Sequence, residues 1–289
     1  MFISELLRER RVTVSIELFP PRQDARLEGA RAVVTEAAGL APDFISVTCG
    51  ASGGTSGNTL EMTRFVKQCG AVALAHLTCV SSSRQEIRGL LESYRDAGIE
   101  NILALRGDLP ADADFPLPGQ YSYASELVKE TRAFGGFCIG GACYPEGHIS
   151  AASFEADIRH LKGKVEAGCS FLTTQMFFDN NILYRFLYRI RDIGVDTPVL
   201  AGIMPVTNRS QIGRIIKLSG TSLPPRFVNI LDKFGGQPEA MRQAGIAYAT
   251  EQIIDLIANG VRGIHIYTMN KPALAAEILN NISHIIKAG

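Results

Sequence analysis

The run Val12-Thr13-Val14-Ser15-Ile16-Glu17-Leu18-Phe19-Pro20-Pro21 decides how this chain folds. Its residues alternate. Val12, Val14, Ile16 and Leu18 share one face of an extended strand; Thr13, Ser15, Glu17 and Phe19 share the other. Successive strand side chains point to opposite faces. The aliphatic face should therefore meet helices, and Glu17 should point the other way. The two prolines lack a backbone N–H and end the ladder. A carboxylate at the end of a buried strand is costly unless it is paired or functional.

A second run, Ala104-Leu105-Arg106-Gly107-Asp108-Leu109-Pro110, ends in the same way. Apolar residues lead into charged ones and proline follows. Two such ends suggest one shared pocket at one end of a sheet, where a parallel barrel places its chemistry.

Working outward, eight apolar runs read as strands, at 12–19, 43–49, 71–79, 101–106, 137–144, 170–176, 198–204 and 262–268. Helical periodicity fills the gaps, at 24–39, 57–68, 84–97, 122–134, 153–167, 180–193 and 208–219. The longer last gap holds two helices, near 224–234 and 238–259, and a helix at 272–287 ends the chain. Strict alternation of eight strands with helices predicts an α/β protein, a (βα)8 TIM barrel formed as a single domain over 1–289. Gly98, Gly168 and Gly260 stand where glycine follows a helix C-terminus.

Both faces of every barrel strand are buried, one against helices and one in the lumen. Parity groups Ser46 with Thr48, His76 with Thr78, Ala104 with Arg106 and Asp108, Ala142 with Tyr144, Thr173 with Gln175, and His265 with Tyr267. These sets lie towards the strand C-termini and predict one polar pocket at the barrel mouth.

Bulk properties narrow the function. Of 289 residues, 46% are hydrophobic, and 29 Lys plus Arg balance 29 Asp plus Glu. There is no basic signal for nucleic acid and no polybasic membrane patch. The first ten residues carry charge where a signal peptide needs an apolar stretch, and no run is long enough to span a membrane. A soluble cytoplasmic protein is expected. The six cysteines have no C-x-x-C spacing and read as small buried hydrophobes in a reducing compartment. No zinc site is expected. The chain has no G-x-S-x-G elbow, no P-loop and no G-x-G-x-x-G. The mouth inventory would suit a planar, multiply hydrogen-bonded ligand with one proton to donate to it.

Eight short motifs then fall in order. They are Ser15-Ile-Glu-Leu-Phe-Pro-Pro-Arg22, Ser46-Val-Thr-Cys-Gly50, His76-Leu-Thr-Cys79, Leu103-Ala-Leu-Arg-Gly-Asp-Leu-Pro110, Tyr144-Pro-Glu-Gly-His148, Thr174-Gln-Met-Phe-Phe-Asp179, Gly202-Ile-Met-Pro205 and Tyr267-Thr-Met-Asn270. Together they resemble the methylenetetrahydrofolate reductase family, in its short bacterial catalytic form, over almost the whole chain. The resemblance implies FAD in a (βα)8 barrel. NADH or NADPH reduces the flavin and leaves. Methylenetetrahydrofolate then takes its place and is reduced to methyltetrahydrofolate, in one-carbon metabolism and methionine supply. NADH is the expected donor, and a homo-oligomer is expected.

The resemblance also implies residue roles. Glu17 is the general acid that opens the methylene bridge, and Asp108 lies beside the flavin ring. Thr48, His76, Arg106, Gly107, Asp108, Tyr123, Ala124, Ala142, Tyr144, His148, Asp157 and Lys164 match FAD-contact positions. Gln175, Gln211, Ile215, Tyr267 and Lys271, with Glu17, match positions facing the exchanged substrates. A carboxylic acid in an apolar, aromatic setting holds its proton more tightly, which suits a general acid. Cations such as Arg106 and Lys164 suit pyrophosphate. Two positions depart from the family pattern. Ile215 stands where an aromatic residue is common, and Lys271 where arginine is common; lysine keeps the charge without the bidentate fork. Two other readings remain, a flavin- or folate-binding homologue without turnover and a metal-dependent barrel lyase. The lyase would need an inward cluster of carboxylates and histidines.

Overall fold

The computed structural model describes residues 1–21, 27–49, 56–80, 82–108 and 119–288. Arg22, Gly50, Leu109 and Pro110, at motif ends, lie outside the described residues.

Eight parallel strands close a barrel in sequence order: β1 (Thr13–Leu18), β2 (Phe44–Val47), β3 (Ala73–Thr78), β4 (Asn101–Leu105), β5 (Cys138–Cys143), β6 (Phe171–Thr174), β7 (Val199–Ile203) and β8 (Gly263–Tyr267). The ring closes where β1 pairs with β8, Ser15 opposite His265 and Glu17 opposite Tyr267. Helices α2 (Leu27–Gly39), α3 (Ser56–Gln68), α4 (Arg84–Asp96), α5 (Ala124–Phe134), α6 (Phe154–Gly168) and α7 (Asn180–Asp192) follow the first six strands in turn. After β7 come α8 (Ser210–Ser219), α9 (Pro225–Phe234) and α10 (Pro238–Ala258), and after β8 come α11 (Pro272–Asn281) and α12 (Ser283–Ala288).

Local chemistry explains the helix ends. Ser83 Oγ accepts a hydrogen bond from the Glu86 amide at 3.2 Å, and Glu86 accepts one from the Ser83 amide at 2.6 Å. This reciprocal cap starts α4. The helix then buries Ile87, Leu91 and Tyr94, spaced along one stripe. Gly98 ends the turn after it at φ 68°, a left-handed conformation costly for other residues. Residues 272–287 form two helices rather than the single one expected. Ser283 Oγ donates to the Asn280 carbonyl, a local bond that competes with helix continuation.

The barrel core has two sides, as the alternation predicts. Val12, Val14, Ile16 and Leu18 pack outward in one large apolar cluster with Ile45, Val47, Ala75 and Leu77. Inside, Phe44, Leu74, Leu103, Cys138, Phe171 and Leu200 form the lower lumen layer. Gly140 makes room for it, since a Cβ there would meet the Phe171 ring at 2.4 Å. The bottom of the lumen is plugged by α1 (Ile3–Glu9), a helix ahead of the first strand that is not among those expected from the periodicity. Ile3 and Leu7 enter the same layer, and the Ile3 amide donates to Asn101 Oδ1 at 2.8 Å. The i, i+4 spacing was present, but seven residues are too few for a periodic signal to stand out.

Parity fails at one strand. Ala104 lies in the outer cluster and Leu103 in the lumen, so the Ala104 face points away from the mouth interior. The lower layer needs bulk between His76 on β3 and Gly140 on β5, the two register partners of Leu103. Arg106 and Asp108 lie past the end of β4, where strand parity no longer binds them.

Cys79, Cys138, Cys143 and Cys169 are buried and Cys49 and Cys69 half-buried, all as free thiols. Among the described residues no helix is long and apolar enough to cross a membrane.

Candidate active site

Glu17 enters the lumen near the strand C-termini, 6% exposed, with a histidine on either side. His265 Nε2 lies 3.5 Å from Glu17 Oε2, and His76 Nε2 lies 3.8 Å from the same oxygen. His265 arrives from the neighbouring strand β8; His76 comes from β3, two strands away in the other direction. Burial depresses the His76 pKa to about 4, more than the nearby Glu17 charge raises it. His76 is thus a neutral imidazole near neutral pH, and at 3.8 Å its Nε2 makes no hydrogen bond to Glu17, nor to any other group among the described residues. The buried Ser46 hydroxyl, on the residue paired with Glu17 across β1–β2, also has no partner among the described residues. His76 Nε2, 3.8 Å from the carboxyl group, and Ser46 Oγ, on the strand residue paired with Glu17, are thus two buried polar atoms without partners among the described residues. Such atoms mark places where a bound molecule would complete the hydrogen bonding.

Tyr267 crosses the mouth above His265. The two rings meet edge-on at 5.1 Å, and the Tyr267 hydroxyl donates to the Thr174 carbonyl at 2.6 Å. Burial and then the Glu17 charge push its pKa well above the usual tyrosine value, so it remains a hydroxyl. Gly202 makes the crossing possible, because a Cβ there would meet the Thr174 carbonyl oxygen at 2.5 Å and the Tyr267 ring at 2.7 Å.

A second polar group gathers past β4 and β5. Gly107, at φ 90°, turns the chain between Arg106 and Asp108. The half-buried Arg106 donates from Nε to the Gly107 carbonyl at 3.3 Å and joins no ion pair among the described residues. Asp108 is exposed. Lys164 on α6 donates to the Ala142 carbonyl, and Asp157 on the same helix accepts the His148 amide at 3.1 Å. Asp157 and Lys164 are thus turned towards the barrel end rather than to solvent. His148 meets Tyr144 edge-on at 4.6 Å. Burial first, and then the Arg106 charge, lower the His148 pKa. Burial and the nearby Asp157 raise that of Tyr144 to about 12.

The remaining candidates ring the mouth less tightly. Thr48 is buried just past β2, its amide bonded to the Leu18 carbonyl at 2.9 Å. Tyr123 is 63% exposed ahead of α5, with the half-buried Ala124 as its first residue. Gln175 accepts the next amide, that of Met176, at 3.0 Å. Gln211 buries an Oε1 without a partner among the described residues. Ile215, 6% exposed, packs in a cluster with Met204, Phe227 and Tyr248, against which Tyr267 also rests. Lys271 is exposed at the start of α11.

No motif in the sequence assigns His265 a role, although its parity points inward. A single histidine in an apolar strand gives no sign of whether a carboxylate faces it across the lumen. Among the described residues no cluster of three His, Cys, Asp or Glu side chains could hold a metal ion. A cavity of about 470 Å3 lies away from all these groups, at the N-terminal end of β7 and β8, lined by Leu7, Tyr188, Arg191 and Arg262 among others.

Comparison with known proteins bears on this geometry. The family model "Methylenetetrahydrofolate reductase" matches residues 2–283. The 5,10-methylenetetrahydrofolate reductase of Pectobacterium carotovorum is 34% identical over 94% of this chain and 90% of its own length. That of Escherichia coli K12 is 33% identical over the same shares. The Zea mays protein "Methylenetetrahydrofolate reductase (NADH) 1" is 34% identical over 98% of this chain but only 50% of its own length. A solved Clostridium thermocellum protein, described as binding two copies of 5-methyl-5,6,7,8-tetrahydrofolic acid, superposes with a TM-score of 0.71 over all of both chains. At 14% identity it attests the barrel fold alone. With a family model spanning nearly its whole length and bacterial reductases a third identical to it, this chain belongs to the methylenetetrahydrofolate reductase family.

Proposed function

We propose that this reductase passes a hydride from NADH or NADPH through FAD to 5,10-methylenetetrahydrofolate, with Glu17 as the general acid. The observation that carries this reading is the lumen carboxyl of Glu17, 3.8 Å from His76 Nε2 and on the strand residue paired with Ser46, with His76 Nε2 and Ser46 Oγ both lacking partners among the described residues. The name of the maize relative supports NADH as the donor.

The residues present fit FAD. Arg106, free of any carboxylate among the described residues, and Lys164 supply positive charge past β4 and β5 for a pyrophosphate. Tyr144, His148 and Asp157 line the same edge, with Gly107 letting the backbone turn close to it. His76 Nε2, without a hydrogen bond among the described residues, would be available to one from the bound group. FAD, when bound, supplies the hydride carrier between the two substrates.

The chain's own groups do the rest. Glu17 delivers its proton to the folate nitrogen that leaves the methylene bridge, so the one-carbon unit becomes an electrophilic iminium. A neutral His76 adds no positive charge to oppose that cation. Tyr267, clamped on the Thr174 carbonyl, holds a flat apolar wall beside the folate, and Ile215 backs it. Asp108, exposed past β4, would favour positive charge developing on the folate. The product supplies methyl groups for methionine, in the cytoplasm, from a homo-oligomer.

The test is Glu17→Gln in separated half-reactions under anaerobic stopped-flow. The variant keeps the shape and loses the proton. Flavin reduction by NADH should stay within about twofold. Reoxidation by methylenetetrahydrofolate should fall by well over the roughly 10²-fold typical of a lost general acid. Equal loss in both halves would make Glu17 a structural residue.

A further inference from the structure

Beyond Glu17 the barrel seam is held by side chains instead of a strand ladder. The β1–β8 pairing ends at Glu17 opposite Tyr267, and Pro20 and Pro21 have no N–H with which to extend it. The next three residues of the β8 side take over. Thr268, fully buried, donates its hydroxyl to the Glu17 carbonyl at 2.7 Å. Asn270 accepts the Phe19 amide on Oδ1 at 2.7 Å and donates from Nδ2 to the Phe19 carbonyl at 2.9 Å. One side-chain amide thus pairs both backbone groups of Phe19, as a neighbouring strand would.

The loop adopts a costly backbone to do this. Met269 and Asn270 are two consecutive non-glycine residues in the left-handed region, at φ 52° and 57°. Such strain persists only where surrounding bonds over-determine it, and it clusters at functional sites. Glycine would suit these angles better. Asparagine tolerates them and brings the amide that grips Phe19.

We infer that Thr268 and Asn270 are positioning residues for Glu17, a clasp that fixes where its carboxyl sits between His76 and His265. The clasp grips the carbonyl of Glu17 itself and both backbone groups of the residue two further on. On the opposite side the Thr48 amide holds the Leu18 carbonyl at 2.9 Å, so the end of β1 is gripped from both neighbours. Loosening one grip lets the carboxyl drift. A misplacement of about 1 Å can cost on the order of 10²-fold in rate.

The inference rests on the reading of Glu17 as the acid, and the experiment separates the two. In the FAD-bound protein, Asn270→Gly keeps the backbone conformation and removes both bonds to Phe19. Thr268→Val removes the hydroxyl at constant shape, and Thr268→Ser restores it. Three readouts are compared: amide hydrogen exchange at Phe19, each half-reaction rate, and folate KM against kcat. For Asn270→Gly, exchange at Phe19 should rise. In both Asn270→Gly and Thr268→Val the folate half-reaction should slow by about 10- to 100-fold with KM nearly unchanged. The nicotinamide half-reaction should hold within about twofold, and Thr268→Ser should recover most of the rate. Equal losses in both half-reactions would make the clasp purely structural. Faster exchange at Phe19 with an unchanged folate rate would also overturn the inference. Glu17→Gln, measured in parallel, isolates the premise. If it spares the folate half-reaction, the acid assignment fails. If it abolishes that half-reaction while the clasp variants do not slow it, only the clasp fails.

Discussion

Ser15 and His265 face each other across the β1–β8 seam, with the Ser15 hydroxyl 2.7 Å from His265 Nδ1. The same hydroxyl lies 3.3 Å from the Ile264 carbonyl. These two contacts bear on the tautomer of His265. If Ser15 donates to Nδ1, the shorter contact, then Nε2 carries the proton and faces the Glu17 carboxylate at 3.5 Å. If Ser15 donates to Ile264, Nδ1 carries the proton and Nε2 becomes an acceptor suited to protonated Glu17. The pair can thus match either protonation state of the acid.

Removing that match should slow the folate step selectively. Ser15→Ala is expected to lower the folate half-reaction by up to about tenfold, the equivalent of one net hydrogen bond. His265→Gln, which breaks the link to Glu17, should cost more. Stopped-flow traces of flavin reduction by NADH should be unchanged in both, and a loss there would point to a disturbed barrel instead.

His76 should make stability depend on pH. Its folded pKa is about 4 against an ordinary 6.5, so the unfolded chain binds more protons between these values. The stability it contributes is complete above pH 6.5 and is lost as pH falls towards 4. A shift of this size corresponds to about 3 kcal/mol at most. Urea unfolding of the wild type and His76→Asn between pH 7 and 4 checks this. The wild type should lose more stability than the variant, and parallel curves would show that burial of His76 carries no such penalty.

With FAD bound as proposed, Asp108→Asn should raise the flavin midpoint potential, because a negative charge near the ring would oppose its reduction. The side chain is exposed, and solvent screens it. The expected rise is therefore modest, on the order of 10–30 mV. Reoxidation by folate should slow more than reduction by NADH. An unchanged or lowered potential, measured by dye equilibration, would place the carboxylate away from the ring.

Gly202→Ala should destabilise the protein and disturb the mouth together. The added methyl group meets the Thr174 carbonyl oxygen at 2.5 Å, and that backbone cannot yield cheaply. Overpacking of this kind typically costs about 1–3 kcal/mol. The hydrogen bond from Tyr267 to Thr174 should lengthen with it, weakening folate binding. Thermal unfolding and folate titration read the two effects, and a variant of normal stability and affinity would show that β7 has room to move.

The sequence by itself determined the barrel. Alternation in Val12–Phe19 and its seven counterparts is a local signal, since strand parity follows from backbone geometry alone. It placed Glu17, His76, His265 and Tyr267 inward, and the ordered motifs tied them to a reductase family. Tertiary structure decided what those inward groups meet. Leu103 rather than Ala104 fills the lumen, because the register between β3 and β5 demands bulk at that level. Whether His265 faces a carboxylate or a leucine depends on strands brought together by closure of the ring, and its partners Ser15 and Glu17 are about 250 positions away in the chain. The grip of Asn270 on Phe19 spans a similar distance. Local periodicity records which way a side chain points, whereas barrel register and loop closure decide which distant atoms it reaches.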